Sequence, residues 1–170
     1  MKKIVALLLI AVAALAAYSQ SASGRYVSRM TRDGTLFFVN PQKLTRCTGI
    51  SKVDYDMTFL TWTDSVTVNF TFRTKVPYRP DSLRIDCCGT SYPCSDYSLL
   101  FTDIVKGGYE IRVTSRYPVA DIGRMLECAE SPVIAFTQDG AACSAAYSKG
   151  AWASDRKKLL DIYNLYLLTR

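Results

Sequence analysis

The chain has 170 residues, 21 Lys and Arg against 15 Asp and Glu, a formal charge of +6, and no histidine. The missing imidazole excludes Ser-His-Asp and Cys-His nucleophile pairs within the chain, along with His-ligated zinc or copper and the usual general base near neutral pH. Its basic residues are scattered apart from Arg156-Lys157-Lys158; without an aromatic-laced basic stripe, no nucleic-acid partner is predicted.

The first element is a leader. Lys2 and Lys3 precede an uncharged apolar run, Ile4 to Ala17, and Ala17 and Ser19 stand two apart as a cleavage signal. These three parts predict a secretory signal peptide over residues 1–19. The apolar run is shorter than the roughly 18 residues a membrane-spanning helix needs, and it contains no cysteine for lipid attachment. The ending Tyr18-Ser19-Gln20 resembles a bacterial export-signal ending, which implies a mature chain starting at Gln20. Loss of Lys2 and Lys3 takes the formal charge from +6 to +4. Residues 20–170 then read as a single disulfide-containing β-rich domain, large enough for one hydrophobic core and without a membrane span. Ser19 to Gly24 reads as a flexible lead-in.

Strand patterns follow. Arg25–Met30 and Thr35–Val39 flank the turn signal Asp33-Gly34. Val53, Tyr55, Met57 and Phe59 alternate with polar residues, as do Val66, Val68, Phe70 and Phe72, and Thr63-Asp64-Ser65 joins the two runs. That period of two predicts an antiparallel hairpin with one buried face. Ser82–Cys87, Leu99–Ile104, Tyr109–Thr114, Pro132–Thr137 and Ala141–Tyr147 are further strand candidates. Lys106-Gly107-Gly108 and Asp139-Gly140 supply two of the turns. Helices are predicted over Val119–Cys128, behind Pro118, and over Ser154–Thr169, with Ser154 as N-cap and Trp152 anchoring the helix to the sheet. The expected apolar face of the second helix is Leu159, Ile162, Tyr163, Tyr166 and Leu167. The predicted fold class is α+β, mainly β: an antiparallel sheet or β-sandwich with one short helix and a C-terminal helix packed on one face.

Six cysteines, Cys47, Cys87, Cys88, Cys94, Cys128 and Cys143, are an even number in a chain predicted to be exported, and a disulfide framework is expected. The C-x₂₋₄-C pairs of structural zinc sites and the C-x-x-C of thioredoxin-like centres are both absent, so neither a metal nor a cofactor is predicted. If Ser82–Cys88 is extended, Cys87 and Cys88 point to opposite faces and should bond to different partners. The expected scheme joins Cys94 to one of them and Cys47 to the other, leaving Cys128 for Cys143.

Two catalytic patterns survive the absence of histidine. Ser154-Asp155-Arg156-Lys157 fits S-x-x-K and so resembles the nucleophile motif of penicillin-binding proteins and β-lactamases. Ser95-Asp96-Tyr97 and Lys106-Gly107-Gly108 resemble their second and third motifs. In those families S-x-x-K comes first, whereas here it comes last, and Ser154 reads more simply as a helix cap. The second pattern is acidic. Asp54 and Asp56 share a strand face and offer an acid/base pair or a Ca²⁺ site; the simpler reading is a solvent-facing polar row with Arg73 nearby as counter-ion. Asp86 and Asp103 are the other carboxylates that a catalytic cleft would have to gather. Asp64-Ser65-Val66 and Asp81-Ser82-Leu83 resemble a bacterial O-glycosylation acceptor motif, marking Ser65 and Ser82 in expected loops. The sequon Asn69-Phe70-Thr71 falls inside a predicted strand.

Three functions fit. The leading one is an exported non-catalytic envelope or cell-surface module that binds a protein or glycan, in the periplasm, at the surface or in the medium. The alternatives are a histidine-free envelope hydrolase using carboxylates or Ser-Lys, and a Cys-based redox or metal-handling protein.

Overall fold

The computed structural model describes residues 24–148 and 150–170. The predicted leader, and most of the Ser-rich lead-in, lie outside the described residues. Eleven strands and two helices follow in the order β1 (Tyr26–Thr31), β2 (Gly34–Leu44), β3 (Arg46–Thr48), β4 (Lys52–Leu60), β5 (Ser65–Thr74), β6 (Asp81–Cys87), β7 (Thr90–Pro93), β8 (Ser95–Val105), β9 (Gly108–Pro118), α1 (Val119–Glu127), β10 (Val133–Gln138), β11 (Ala141–Ala146) and α2 (Ala151–Thr169). They form two antiparallel sheets, six-stranded β1-β2-β4-β5-β9-β8 and five-stranded β3-β11-β10-β6-β7. The chain is α+β and mainly β, as its alternation predicts.

The period of two does what it should in the central hairpin. Val53, Tyr55, Met57 and Phe59 of β4, with Val66, Val68, Phe70 and Phe72 of β5, are all buried, and β9 adds Ile111, Val113 and Tyr117 to the same face. Tyr55 stands opposite Phe70 and Phe70 opposite Val113, so the three strands present one continuous apolar surface. That surface is covered in two parts. At one end Phe72 meets Phe136 of β10 edge-on, ring centroids 4.9 Å apart, and the second sheet packs on the first. At the hairpin end Phe59 packs on Tyr166 of α2 at 5.2 Å, and Tyr166 donates its hydroxyl hydrogen to the Thr63 carbonyl. Burying such aromatic side chains contributes about 1.5–3 kcal/mol each.

Three local expectations are corrected. α2 begins at Ala151 behind Gly150, so Ser154 lies inside the first turn and is not the cap. Trp152 is therefore within the helix. Its indole N–H donates to the Cys128 carbonyl at 3.2 Å, which anchors α2 to the end of α1. Burial of this indole against Tyr147, at 5.1 Å between centroids, extends the helix three residues past its polar cap signal. Leu167 is off the packed face, because Trp152, Leu159, Ile162 and Tyr166 are the buried positions. β3 and β7 were not predicted: three and four residues respectively are too short to show a period.

Candidate functional site

The two carboxylates of β4 do not form an acid/base pair. Asp56 is 1% exposed, accepts from Arg112 of β9 at 2.5 Å and from the Asn69 amide at 2.8 Å, and is covered by them. Arg112 also donates to the Thr71 hydroxyl at 2.7 Å. Asp54 is held by Lys52 at 2.6 Å. The expected solvent-facing row is thus half right. Its central member is roofed by a guanidinium, and the counter-ion is Arg112, because Arg73 is engaged by Glu110. Register explains this: Asn69 stands opposite Asp56, and Arg112 opposite Thr71 one strand further on. Asp86 is on the other sheet, bound by Arg84 and Ser91, and Asp103 is exposed on β8. No cleft gathers these four among the described residues.

Arg112→Leu strands the Asp56 charge under an apolar side chain. The expected loss is about 3 kcal/mol, typical of breaking one side of a buried pair, and denaturant titration measures it. A loss below about 1 kcal/mol, the value of a surface pair, would show that water replaces the guanidinium.

Ser154 is exposed and accepts a hydrogen bond from Lys158 at 3.2 Å, while Lys157 is exposed on the helix surface. Neither has the desolvated neighbourhood that activates a Ser-Lys nucleophile. Ser65 and Ser82 lie at the starts of β5 and β6, not in loops; Ser82 is exposed and Ser65 half-buried. Asn69 is inside β5, committed to Asp56.

The cysteines differ from the expected scheme. Cys88 is bonded to Cys128, 40 residues away, and Cys47, Cys87, Cys94 and Cys143 are free thiols. The vicinal pair does not diverge as two extended residues do, because Cys88 has left the strand with φ of 49°. The sulfurs of Cys87, Cys88 and Cys128 lie within 4.8 Å of one another. Cys94 is carried away from them: β7 runs back along β6 until Pro93 is opposite Arg84, three residues (~10 Å) from Cys87. Its thiol lies beside the Tyr117 phenol. Cys47 pairs in register with Ala145, making Cys143 its diagonal neighbour in β11.

The three-sulfur cluster borders an open groove of about 330 Å³, lined by Asp86, Cys87, Cys88, Ser91, Glu130 and Ser131 among others. It is the one group of three metal-ligating atoms among the described residues. With Cys88 and Cys128 bonded to each other, only Cys87 retains a thiol, so the bridged cluster offers one ligand. Burial, then the Glu130 carboxylate, pushes the Cys87 thiol above the ordinary cysteine range. A gap in the core between Tyr55, Phe70, Ile122, Met125, Ile134 and Tyr147 has a volume of about 10 Å³ and accommodates no ligand.

One feature of the surface was not legible as such. β8 is an edge strand of 11 residues, against six, three and four for the other edges β1, β3 and β7. Leu99, Leu100, Phe101 and Ile104 are 46%, 50%, 37% and 85% exposed, on both faces of the strand. The N-terminal end of β8 is tied down, with Tyr97 donating to the Pro80 carbonyl and Arg79 lying over its ring at 5.3 Å. Beyond it the edge is uncovered. The signal in the sequence was Leu99-Leu100-Phe101, three apolar residues in a row, which no one-sided strand needs.

Fold and site together define a two-sheet α+β protein with an ion-paired outer face, a sulfur cluster and a long apolar edge. No protein-family model matches the chain, and no curated protein or solved structure matches it either.

Proposed function

We propose that this is an exported, non-catalytic binding module whose β8 edge receives an extended segment of a partner protein as an added strand. The observation that carries this reading is the length and exposure of β8. Proteins usually blunt sheet edges with charge, proline, bulges or brevity, and of these β8 carries register irregularities at Ser95–Ser98 and Leu99–Phe101, beyond which its edge is regular to Val105. The stretch Ser98–Thr102 has no charge, and an incoming strand gains backbone hydrogen bonds along the regular part, Phe101–Val105, while Leu100 at the irregularity and Ile104 contact its side chains. Export is supported by the leader pattern and by a disulfide, which persists in oxidising compartments. The dispersed carboxylates and the exposed, unactivated Ser154 favour binding over hydrolysis.

A photo-crosslinking side chain at position 100 of the full chain, expressed in its host, tests this reading. The expected result is a discrete heterologous adduct from position 100 that exposed position 157 does not give, on protein whose N-terminus is Gln20. Absence of an adduct, an adduct common to both positions or an adduct with a second copy of this chain overturns the partner; a retained leader overturns export.

A further inference from the structure

We infer that Cys87, Cys88 and Cys128 form a thiol–disulfide exchange site, in which Cys87 displaces Cys88 from Cys128 and unmasks the Cys88 thiol in the open groove. All three sulfurs lie within 4.8 Å of one another, and two are already bonded. Exchange proceeds by attack of a thiolate on a disulfide sulfur, so a third cysteine at this distance needs only a side-chain rotation to react.

The three positions are not equivalent, and their differences set the direction. Cys87 is buried at the end of β6, where its thiol donates to the Glu130 carbonyl at 3.4 Å. Cys128 is also buried, and its backbone is fixed by the Trp152 indole on its own carbonyl at 3.2 Å and by Arg156 on the Glu127 carbonyl at 2.9 Å. Cys88 is exposed, on a turn beside Gly89, and in a left-handed conformation that side-chain-bearing residues rarely adopt. Attack at Cys88 would close a small strained ring between adjacent residues. Attack at Cys128 joins two buried, well-anchored sulfurs and releases the exposed one.

The step balances without an outside oxidant or reductant. The Cys87 thiol gives its proton to solvent, its sulfur bonds to Cys128 Sγ, and the Cys88–Cys128 bond breaks. The bonding electron pair leaves on Cys88 Sγ, which takes up a proton. One disulfide and one thiol become one disulfide and one thiol. What changes is access: the thiol of a buried residue at the end of β6 is exchanged for that of an exposed residue beside a groove of about 330 Å³. The Cys88 thiol is then placed to react with a disulfide on a partner molecule, forming a mixed disulfide and releasing the partner's thiol.

The test is labelling of the full exported chain with a bulky maleimide that the buried Cys87 does not admit. The reagent is used at a concentration where the rate no longer depends on it, and the products are mapped by non-reducing peptide analysis with fragmentation between positions 87 and 88. Label is expected at Cys88, matched by transfer of Cys128 onto Cys87, at a rate rising about tenfold per pH unit between about pH 6 and about pH 8 as the thiolate fraction rises. Cys87→Ser is expected to slow labelling of Cys88 at least tenfold. In Cys88→Ser, Cys128 is expected bonded to Cys87, which keeps the idea testable if Cys87→Ser does not fold. Labelling of Cys88 unaffected by Cys87→Ser, or a Cys128 never found joined to Cys87 in either chain, overturns the inference.

Discussion

By about pH 11 the protein is expected to have lost about 4 kcal/mol of stability and to unfold before its core phenols ionise. Tyr55, Tyr117 and Tyr147 are 5%, 0% and 1% exposed. Burial holds all three phenols well above the ordinary tyrosine range. Tyr55 and Tyr147 share one hydrogen bond with each other, and the Tyr117 hydroxyl is buried beside the Cys94 thiol. The sign follows from where the protons stay. Above about pH 10 the unfolded chain releases them and the folded chain retains them. Stability from these groups is therefore complete below pH 10 and falls as pH rises toward the folded-state values. Each phenol contributes a loss of about 1.4 kcal/mol by pH 11. Phenolate absorbance is expected to step up with the loss of near-ultraviolet circular dichroism, and the double variant Tyr55→Phe/Tyr147→Phe should remove about two thirds of the pH dependence. Smooth titration of all tyrosines near pH 10 with native dichroism retained contradicts this account.

Replacing Cys128 by serine is expected to cost about 4 kcal/mol, the loop-closure value for the 40-residue separation of the Cys88–Cys128 bridge. In a chain of this size that lowers the melting temperature by about 10 °C. The bridge ties the β6–β7 turn to the end of α1, two elements that share few other contacts, so native packing does not replace it. Cys88→Ser should cost far less, since Cys87 stands ready to take Cys128. Thermal melts of both variants under non-reducing conditions measure the difference. Equal losses would mean that Cys87 never bridges, and a Cys128→Ser melt indistinguishable from the parent would mean that the bridge contributes nothing to stability.

These two results concern the interior; the functional reading lies at the edges. Strand alternation was readable where one face is buried, as in Val53–Phe59 and Val66–Phe72, because a half-buried strand must repeat every two residues. β8 was readable as a strand but not as an uncovered one. An exposed apolar edge and a strand buried on both faces show the same unbroken run, Leu99-Leu100-Phe101. Asp56 posed the same difficulty in reverse. Its polar neighbours suggested solvent, and only the strand order β4-β5-β9 brings Arg112 across two strands to cover it.

The sulfur chemistry divides in the same way. From six cysteines and a leader pattern, the sequence alone determined that disulfides were to be expected, that catalysis by histidine was excluded, and that a mainly β fold with two helices would form. Those properties depend on residue type and on short-range periodicity, which composition and spacing carry directly. Which cysteines meet was decided by tertiary structure. A single left-handed turn at Cys88, the register that carries Cys94 away along β6, and the Trp152 contact that fixes Cys128 are long-range outcomes of packing, and no local pattern records them. The same holds for the β8 edge, since whether a strand has a neighbour depends on every other strand in the sheet.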